Sequence, residues 1–261
     1  MKKSKIRLDQ ILVEKGFVSD LSEAQKLILA GLVLVNTQKI DKVGTLVNPE
    51  LEIRIKNRGS KVFVNTNEKS AETIRSFVSR GGFKLQKAIE FFNIKLIKKI
   101  CMDVGASTGG FTDCLLQNGA EQVFAIDVGY GQLDWKLQTD SRVVIFDRTN
   151  IRKLESSTIG KQIDLITIDA SFISLKSILP SIIKFLQSGA EVIALIKPQF
   201  EADRENAENG LVSSERVRLN ILADIESFAQ TLGLHSQGIT ESPIEGNKLG
   251  NVEYLIYLKY L

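Results

Sequence analysis

The stretch Asp103-Val104-Gly105-Ala106-Ser107-Thr108-Gly109-Gly110-Phe111-Thr112 joins an apolar run to a helical one through a turn made almost wholly of small side chains. Such a turn lets backbone approach a ligand closely, and the first turn of the following helix offers N–H groups that have no partner inside the helix. The glycines fall at 105, 109 and 110 with Ser107 between them, which departs from the Gly-x-Gly-x-x-Gly spacing of dinucleotide turns. Asp103 ends the strand before this turn, Asp127 ends the next strand 22 residues after Gly105, and Asp147 ends the strand after that. As ligand groups, Asp127 would accept hydrogen bonds from an adenosyl ribose and Asp147 from an adenine amino group. A strand-terminal acid taken singly is more often a cap or turn residue; three in register favour a binding edge.

Those acids need strands to carry them. From residue 83 onward, apolar runs alternate with helical patterns, the mark of a doubly wound α/β sheet. The expected strands are 100–104, 123–128, 143–146, 163–168, 192–196, 234–240 and 252–258. Seven strands in this order suggest a Rossmann-like class I methyltransferase sheet whose last strand is antiparallel. In such sheets ligands bind outside the carboxyl ends of the strands.

The first 61 residues differ in character. They hold twelve Lys or Arg against seven acids, a net +5, whereas the remaining 200 residues hold 22 basic and 24 acidic, a net −2. A basic head on a near-neutral body suits a module that displaces counterions from a phosphate backbone, although a solvated basic face gives the same count. Leu8, Ile11 and Leu12 have helical spacing up to Gly16, and Ala24, Leu27 and Ile28 repeat it up to Gly31. Residues 32–36 and 51–55 then read as strands. The expected division is an N-terminal RNA-binding domain over 1–61, a linker and entry helix over 62–80 beginning near Ser70, and a catalytic domain over 81–261.

Arg7-Leu8-Asp9-Gln10-Ile11-Leu12-Val13-Glu14-Lys15-Gly16, with Ala24 through Asn36, is similar to the S4-like RNA-binding domain, an α+β module of ribosomal and RNA-modifying proteins. The match covers about residues 6–58. Asp20-Leu21 stands where that family usually has Ser-Arg, and Glu23 where a basic residue is common, which leaves Arg7, Lys26 and Lys56 as the candidate RNA contacts, joined by Arg80 before the second domain. Five further motifs, 79–85 (Ser-Arg-Gly-Gly-Phe-Lys-Leu), 103–112, 169–175 (Asp-Ala-Ser-Phe-Ile-Ser-Leu), 197–201 (Lys-Pro-Gln-Phe-Glu) and 250–254 (Gly-Asn-Val-Glu-Tyr), resemble the TlyA or hemolysin A family across nearly the whole chain. That family couples an S4-like domain to an FtsJ-type ribose 2′-O-methyltransferase.

The resemblance implies a Lys-Asp-Lys-Glu catalytic set at Lys84, Asp169, Lys197 and Glu253, S-adenosyl-L-methionine as cofactor, and ribosomal RNA or ribosomal subunits as partner, with cytidine of 16S or 23S RNA as target. A ribose hydroxyl is a poor nucleophile at neutral pH, so methyl transfer to it needs a base or a strongly orienting partner. Lys197 would contact the 2′-oxygen, Asp169 would orient Lys197 beside the sulfonium, and Glu253 would hold Lys84 or Lys197. Asp103, Gly105, Ala106, Ser107, Gly109, Gly110, Phe111, Asp127, Asp147 and Asp169 are the expected cofactor contacts. The alternatives are a noncatalytic RNA-binding or ribosome-assembly factor, which needs no intact set, and a membrane-active hemolysin.

Other classes find little support. Cys101 and Cys114 lie in apolar runs without metal-ligand spacing and read as buried free thiols. His235 is the sole histidine, so no metal site and no histidine-based triad is expected. Mean hydropathy is near zero and no apolar run reaches membrane-spanning length, so a soluble, cytoplasmic protein is expected.

Overall fold

The computed structural model describes residues 5–55 apart from 19, 30, 37, 50 and 52, residues 77–244 apart from 208, and residues 250–261. Two compact units divide the chain, Met1–Ser79 and Arg80–Leu261. The entry helix expected near Ser70, and Lys56, lie outside the described residues.

In the first unit, β1 (Ile6–Arg7) leads into α1 (Leu8–Glu14), followed by α2 (Leu21–Leu29), β2 (Val33–Val35), β3 (Gln38–Ile40), β4 (Leu46–Val47) and β5 (Ile53–Ile55). Gly16 at φ 67° and Gly31 at φ 63° stop the two helices in the left-handed conformation that glycine adopts without strain. β2 is the centre of an antiparallel sheet ordered β3-β2-β5, and β1 pairs with β4. Leu8, Ile11 and Leu12 from α1 and Ala24, Leu27 and Ile28 from α2 bury against Val33, Val35 and Ile53. The apolar spacing of the two helices therefore becomes the core of a small α+β module.

The second unit runs α3 (Gly81–Phe91), β6 (Ile100–Val104), α4 (Gly110–Gln117), β7 (Gln122–Ile126), α5 (Trp135–Gln138), β8 (Val143–Phe146), α6 (Ser156–Ile159), β9 (Ile163–Ile168), α7 (Leu179–Ile182), β10 (Leu186–Ile196), α8 (Pro198–Glu201), α9 (Glu215–Thr231), β11 (Leu234–Glu241) and β12 (Tyr254–Tyr260). Among the described residues the strands form a seven-stranded sheet ordered β11-β12-β10-β9-β6-β7-β8. β8, β7, β6, β9 and β10 are mutually parallel, and β12 enters antiparallel between β10 and β11. β6 is thus central, flanked by β7 and β9, and its Cys101 and Met102 are fully buried. α3 packs on α4 and β12, and α9 on β11. Met102, Phe124, Ile166, Val192, Ile225 and Ile256 belong to one continuous core.

Four strands differ in their limits from the sequence reading, β11 only by one residue at its end, Glu241. β7 stops at Ile126 because Asp127 turns its carboxylate back onto the chain, Oδ1 accepting from the Gly129 N–H at 2.7 Å. β10 begins early, at Leu186, and its pairing to β9 is irregular between Leu186 and Glu191, where Gly189 sits at φ 85°. β12 begins late, at Tyr254, since Glu253 aims its side chain at Lys84. Cys101 and Cys114 are buried free thiols, and burial pushes the Cys101 thiol up to about 12. Among the described residues no helix is long and apolar enough to cross a membrane.

Candidate active site

The turn after β6 is shaped by positive φ angles at Gly105 (85°), Ser107 (49°) and Gly109 (95°). Only Gly105 lets this turn lie where it does, for a Cβ there would stand 2.7 Å from the carbonyl oxygen of Asp169 on the neighbouring strand end. A Cβ at Gly109 would meet Leu137 at 2.2 Å. The N–H groups of Gly105 and Ala106 both donate to Ile126 O, which ties the turn to β7. Phe111 is buried in the first turn of α4, and Gly110 opens that helix.

The three expected acids stand differently. Asp103 is wholly buried; its Oδ2 accepts from Thr112 Oγ1 at 2.7 Å and its Oδ1 from Thr167 Oγ1 at 3.0 Å. Burial raises its pKa to about 7, with the two threonine hydroxyls pulling the other way. Asp103 therefore joins β6 to the start of α4 and to β9 inside the core. Asp127 has Oδ2 accepting from Ser107 N–H at 2.8 Å as well as Oδ1 from Gly129. Asp147 Oδ2 accepts from Gly131 N–H at 3.0 Å. Both acids hold backbone amides of the loops that surround the turn and keep lone pairs for further donors.

The other half of the edge is built from ion pairs. Lys197 Nζ lies 2.5 Å from Asp169 Oδ1 and donates to Ser171 Oγ at 2.9 Å. Lys84 Nζ, from the first turn of α3, lies 2.5 Å from Glu253 Oε2, and Gln199 Nε2 donates to Glu253 Oε1 at 3.5 Å. The antiparallel register pairs Ile196 with Tyr254, so the next step of the ladder brings Lys197 opposite Glu253. The four expected residues are thus collected as two pairs, Lys197 with Asp169 and Lys84 with Glu253. Exposure separates them: the Lys84 and Glu253 side chains are 7% and 4% exposed, whereas Asp169 is 23% exposed beside a Lys197 at 9%.

Several neighbours lie inside the motifs that carry the family resemblance, but the sequence assigns them no role. Phe172, 89% exposed at φ 63°, packs its ring 5.1 Å from that of Phe200, and the Phe200 ring lies 6.0 Å from Lys197 Nζ. Glu201 accepts from Ser174 Oγ at 2.6 Å and from Leu175 N–H at 2.8 Å, and burial pushes its carboxyl up. The polar stretch after it is anchored at its far end, where buried Asn251 accepts from Val212 N–H and donates to Gly210 O. The expected RNA contacts among the described residues divide between the two units. Arg7 is exposed but forked onto buried Asp9 at 2.6 and 3.0 Å, Lys26 is exposed on α2, and Arg80 caps the start of α3 in the other unit.

A glycine turn and acid pair along one half of a seven-stranded sheet's carboxyl edge, with lysine–carboxylate pairs along the other half, match known proteins. A family model for FtsJ-like methyltransferases matches residues 77–260, and one for the S4 domain matches residues 6–53. The chain is 39% identical over 254 residues to the 16S/23S rRNA (cytidine-2′-O)-methyltransferase TlyA of Mycobacterium tuberculosis, covering 97% of this chain and 89% of that one. It is 38% identical to hemolysin A of Brachyspira hyodysenteriae, covering 97% and 99%. A solved structure from Streptococcus thermophilus superposes with a TM-score of 0.71 at 38% identity, covering 98% of this chain and 89% of that one. With its sheet order, its turn and both domain models in agreement, the chain belongs to the FtsJ-like methyltransferase family and carries an S4 domain at its N-terminal end.

Proposed function

We propose that this chain transfers the methyl group of S-adenosylmethionine to the ribose 2′-hydroxyl of cytidine in ribosomal RNA, in the cytoplasm. The observation that carries this reading is the Lys197–Asp169 pair, 2.5 Å apart and open to solvent on the carboxylate side, against the glycine turn. The rRNA (cytidine-2′-O)-methyltransferase activity named for the Mycobacterium relative supports it. So does the fit of the turn to an adenosyl ligand: small residues, positive φ at Gly105 and Gly109, and two loop acids fixed by backbone amides.

Bound S-adenosylmethionine supplies an electrophilic methyl group on a sulfonium. Residues 105–111, with Asp127, Asp147 and Asp169, would hold it. Asp103 acts by fixing the turn, since both its oxygens are taken by threonine hydroxyls. Two of the hydrogen-bonding directions of Lys197 Nζ are spent on Asp169 and Ser171, which leaves a third for the ribose 2′-oxygen. Once its own proton has been given up to solvent, the Lys197 amine would take the hydroxyl proton as that oxygen attacks, and Asp169 Oδ1 would stabilise the ammonium that forms again. Lys84 and Glu253 neutralise one another in the buried wall behind. Arg7, Lys26 and Arg80 contribute to RNA affinity through phosphate contacts.

Purified chain, ribosomal RNA or subunits, and S-adenosylmethionine labelled on its methyl carbon test the proposal. Label should appear in the RNA within a dinucleotide that resists alkali, since a 2′-O-methyl group blocks cleavage at the adjoining phosphodiester. Label recovered in alkali-sensitive nucleotides, or no label with any ribosomal RNA, would overturn it.

A further inference from the structure

The candidate base and its partner belong to two separate segments, and neither is a long regular element. Asp169 starts the stretch 169–175, which follows β9 and reaches no helix until a single 3-10 turn at Leu175–Ser177. This stretch includes Phe172 at φ 63°, a conformation that an aromatic side chain disfavours and that surrounding contacts must enforce. Lys197 caps α8, one turn of helix whose direction is set by Pro198 at its first position. What holds 169–175 to α8 is therefore a short list of side-chain contacts.

Those contacts form a row. Lys197 reaches Asp169 and Ser171, the Phe200 ring meets Phe172, and Glu201 takes Ser174 Oγ and Leu175 N–H. Positions 197, 200 and 201 are spaced i, i+3 and i+4, the spacing that puts side chains on one face of a helical turn. They meet residues 169–175 in matching order. Glu201 closes the far end of this row with both carboxylate oxygens, one of them on a backbone amide, and Ser174 Oγ in turn accepts from Lys176 N–H at 3.1 Å. The Asp169 N–H donates to Val104 O at 3.0 Å and pins the near end, so loss of the far end would let the stretch pivot there and turn the Asp169 carboxylate off Lys197.

We infer that Glu201 is a positioning residue for methyl transfer: its carboxylate clamps 169–175 onto α8 and so keeps Asp169 on the Lys197 amine. This rests on the function proposed above. Glu201 closes the motif that begins at Lys197, and its carboxylate spans 27 residues of sequence to Ser174.

The test uses the full chain in single-turnover methyl transfer to ribosomal RNA, calorimetry for S-adenosylmethionine, and hydrogen exchange of residues 169–176. E201A should slow transfer by about 10- to 100-fold, the scale for displacing a catalytic group by about an ångström. Cofactor Kd should stay within about threefold, and exchange at Leu175 should quicken. E201Q keeps a carbonyl oxygen for Leu175 and an amide for Ser174 Oγ, and should recover most of the rate. In a D169A background, E201A should add no further loss, because a residue acting through Asp169 has nothing left to position. If E201A does not fold, S174A, which removes one arm, should still slow transfer by about threefold or more. Wild-type rates in E201A or S174A, or an additive loss in D169A, would overturn the inference alone. A wild-type chain that methylates no RNA would overturn the function and the inference together.

Discussion

The two halves of the sheet's carboxyl edge solve the same problem with different materials. Over β6, β7 and β8 the surface is backbone: glycine and serine in left-handed conformations, with acids turned inward to hold amides. Over β9, β10 and β12 it is side chains: two lysine–carboxylate pairs, one buried and one open. A backbone surface is specified by what residues lack, and a side-chain surface by charges that must be neutralised locally. The first suits a ligand that is held, the second a proton that must move. The halves meet where Gly105 lies against the Asp169 carbonyl.

The largest effect is expected at the buried pair. Lys84→Met leaves Glu253, 4% exposed, without its cation, and should destabilise the second unit by about 3–5 kcal/mol in urea unfolding. Adding Glu253→Leu removes the orphaned charge and should restore most of that loss. A mild Lys84→Met would mean that water reaches Glu253, and the contrast between the two pairs would fail.

At the open pair, the cost should move from stability to chemistry. Lys197→Ala is expected to slow methyl transfer by about 10²-fold or more while cofactor affinity stays within a few-fold. Lys197→Arg should not rescue it, because guanidinium stays protonated and its planar fork is not a compact amine. Gly105→Ala sits at the junction and should damage both readouts. Its left-handed φ alone costs about 1–2 kcal/mol, roughly tenfold in cofactor Kd if the turn must move to relieve it, and the new methyl presses on the Asp169 backbone. Calorimetry beside single-turnover rates separates the two variants.

The same contrast explains what could be read from sequence. Strands 100–104, 143–146 and 163–168 have their expected limits because each is a buried parallel run that stops where an acid or a turn takes over. The glycine turn is legible because close approach excludes side chains, which leaves a mark in the residue types themselves. The pairs leave none: Lys84 and Glu253 lie 169 positions apart, on a helix and on the approach to an antiparallel strand, and only the family resemblance had put them together. Glu201, Phe172 and Thr112 lie inside the motifs that carry the resemblance, but what they contact was hidden, because a carboxylate, an aromatic ring or a hydroxyl fits a surface as readily as a site. Asp103 itself was legible as a strand end, but not the direction in which it points.

That direction supplies the most discriminating test. An acid facing a ligand and water would ionise near its ordinary value of 3.8, whereas burial raises Asp103 to about 7. Between those values the folded protein holds a proton that the unfolded chain has released, so folding is favoured by that group at low pH. The contribution is fully present below about 3.8 and is lost as pH rises through about 7. Asp103→Asn does not titrate, and its amide can still bond the Thr112 and Thr167 hydroxyls. The stability of wild type minus that of Asp103→Asn should therefore fall by roughly 2–3 kcal/mol between pH 5 and pH 8, read from urea midpoints at each pH. A difference that stays flat would mean that Asp103 is ionised across the whole range. It would then be a solvated group of the ligand surface, and the backbone half of the edge would lose the buried support that sets it apart from the half built of ion pairs.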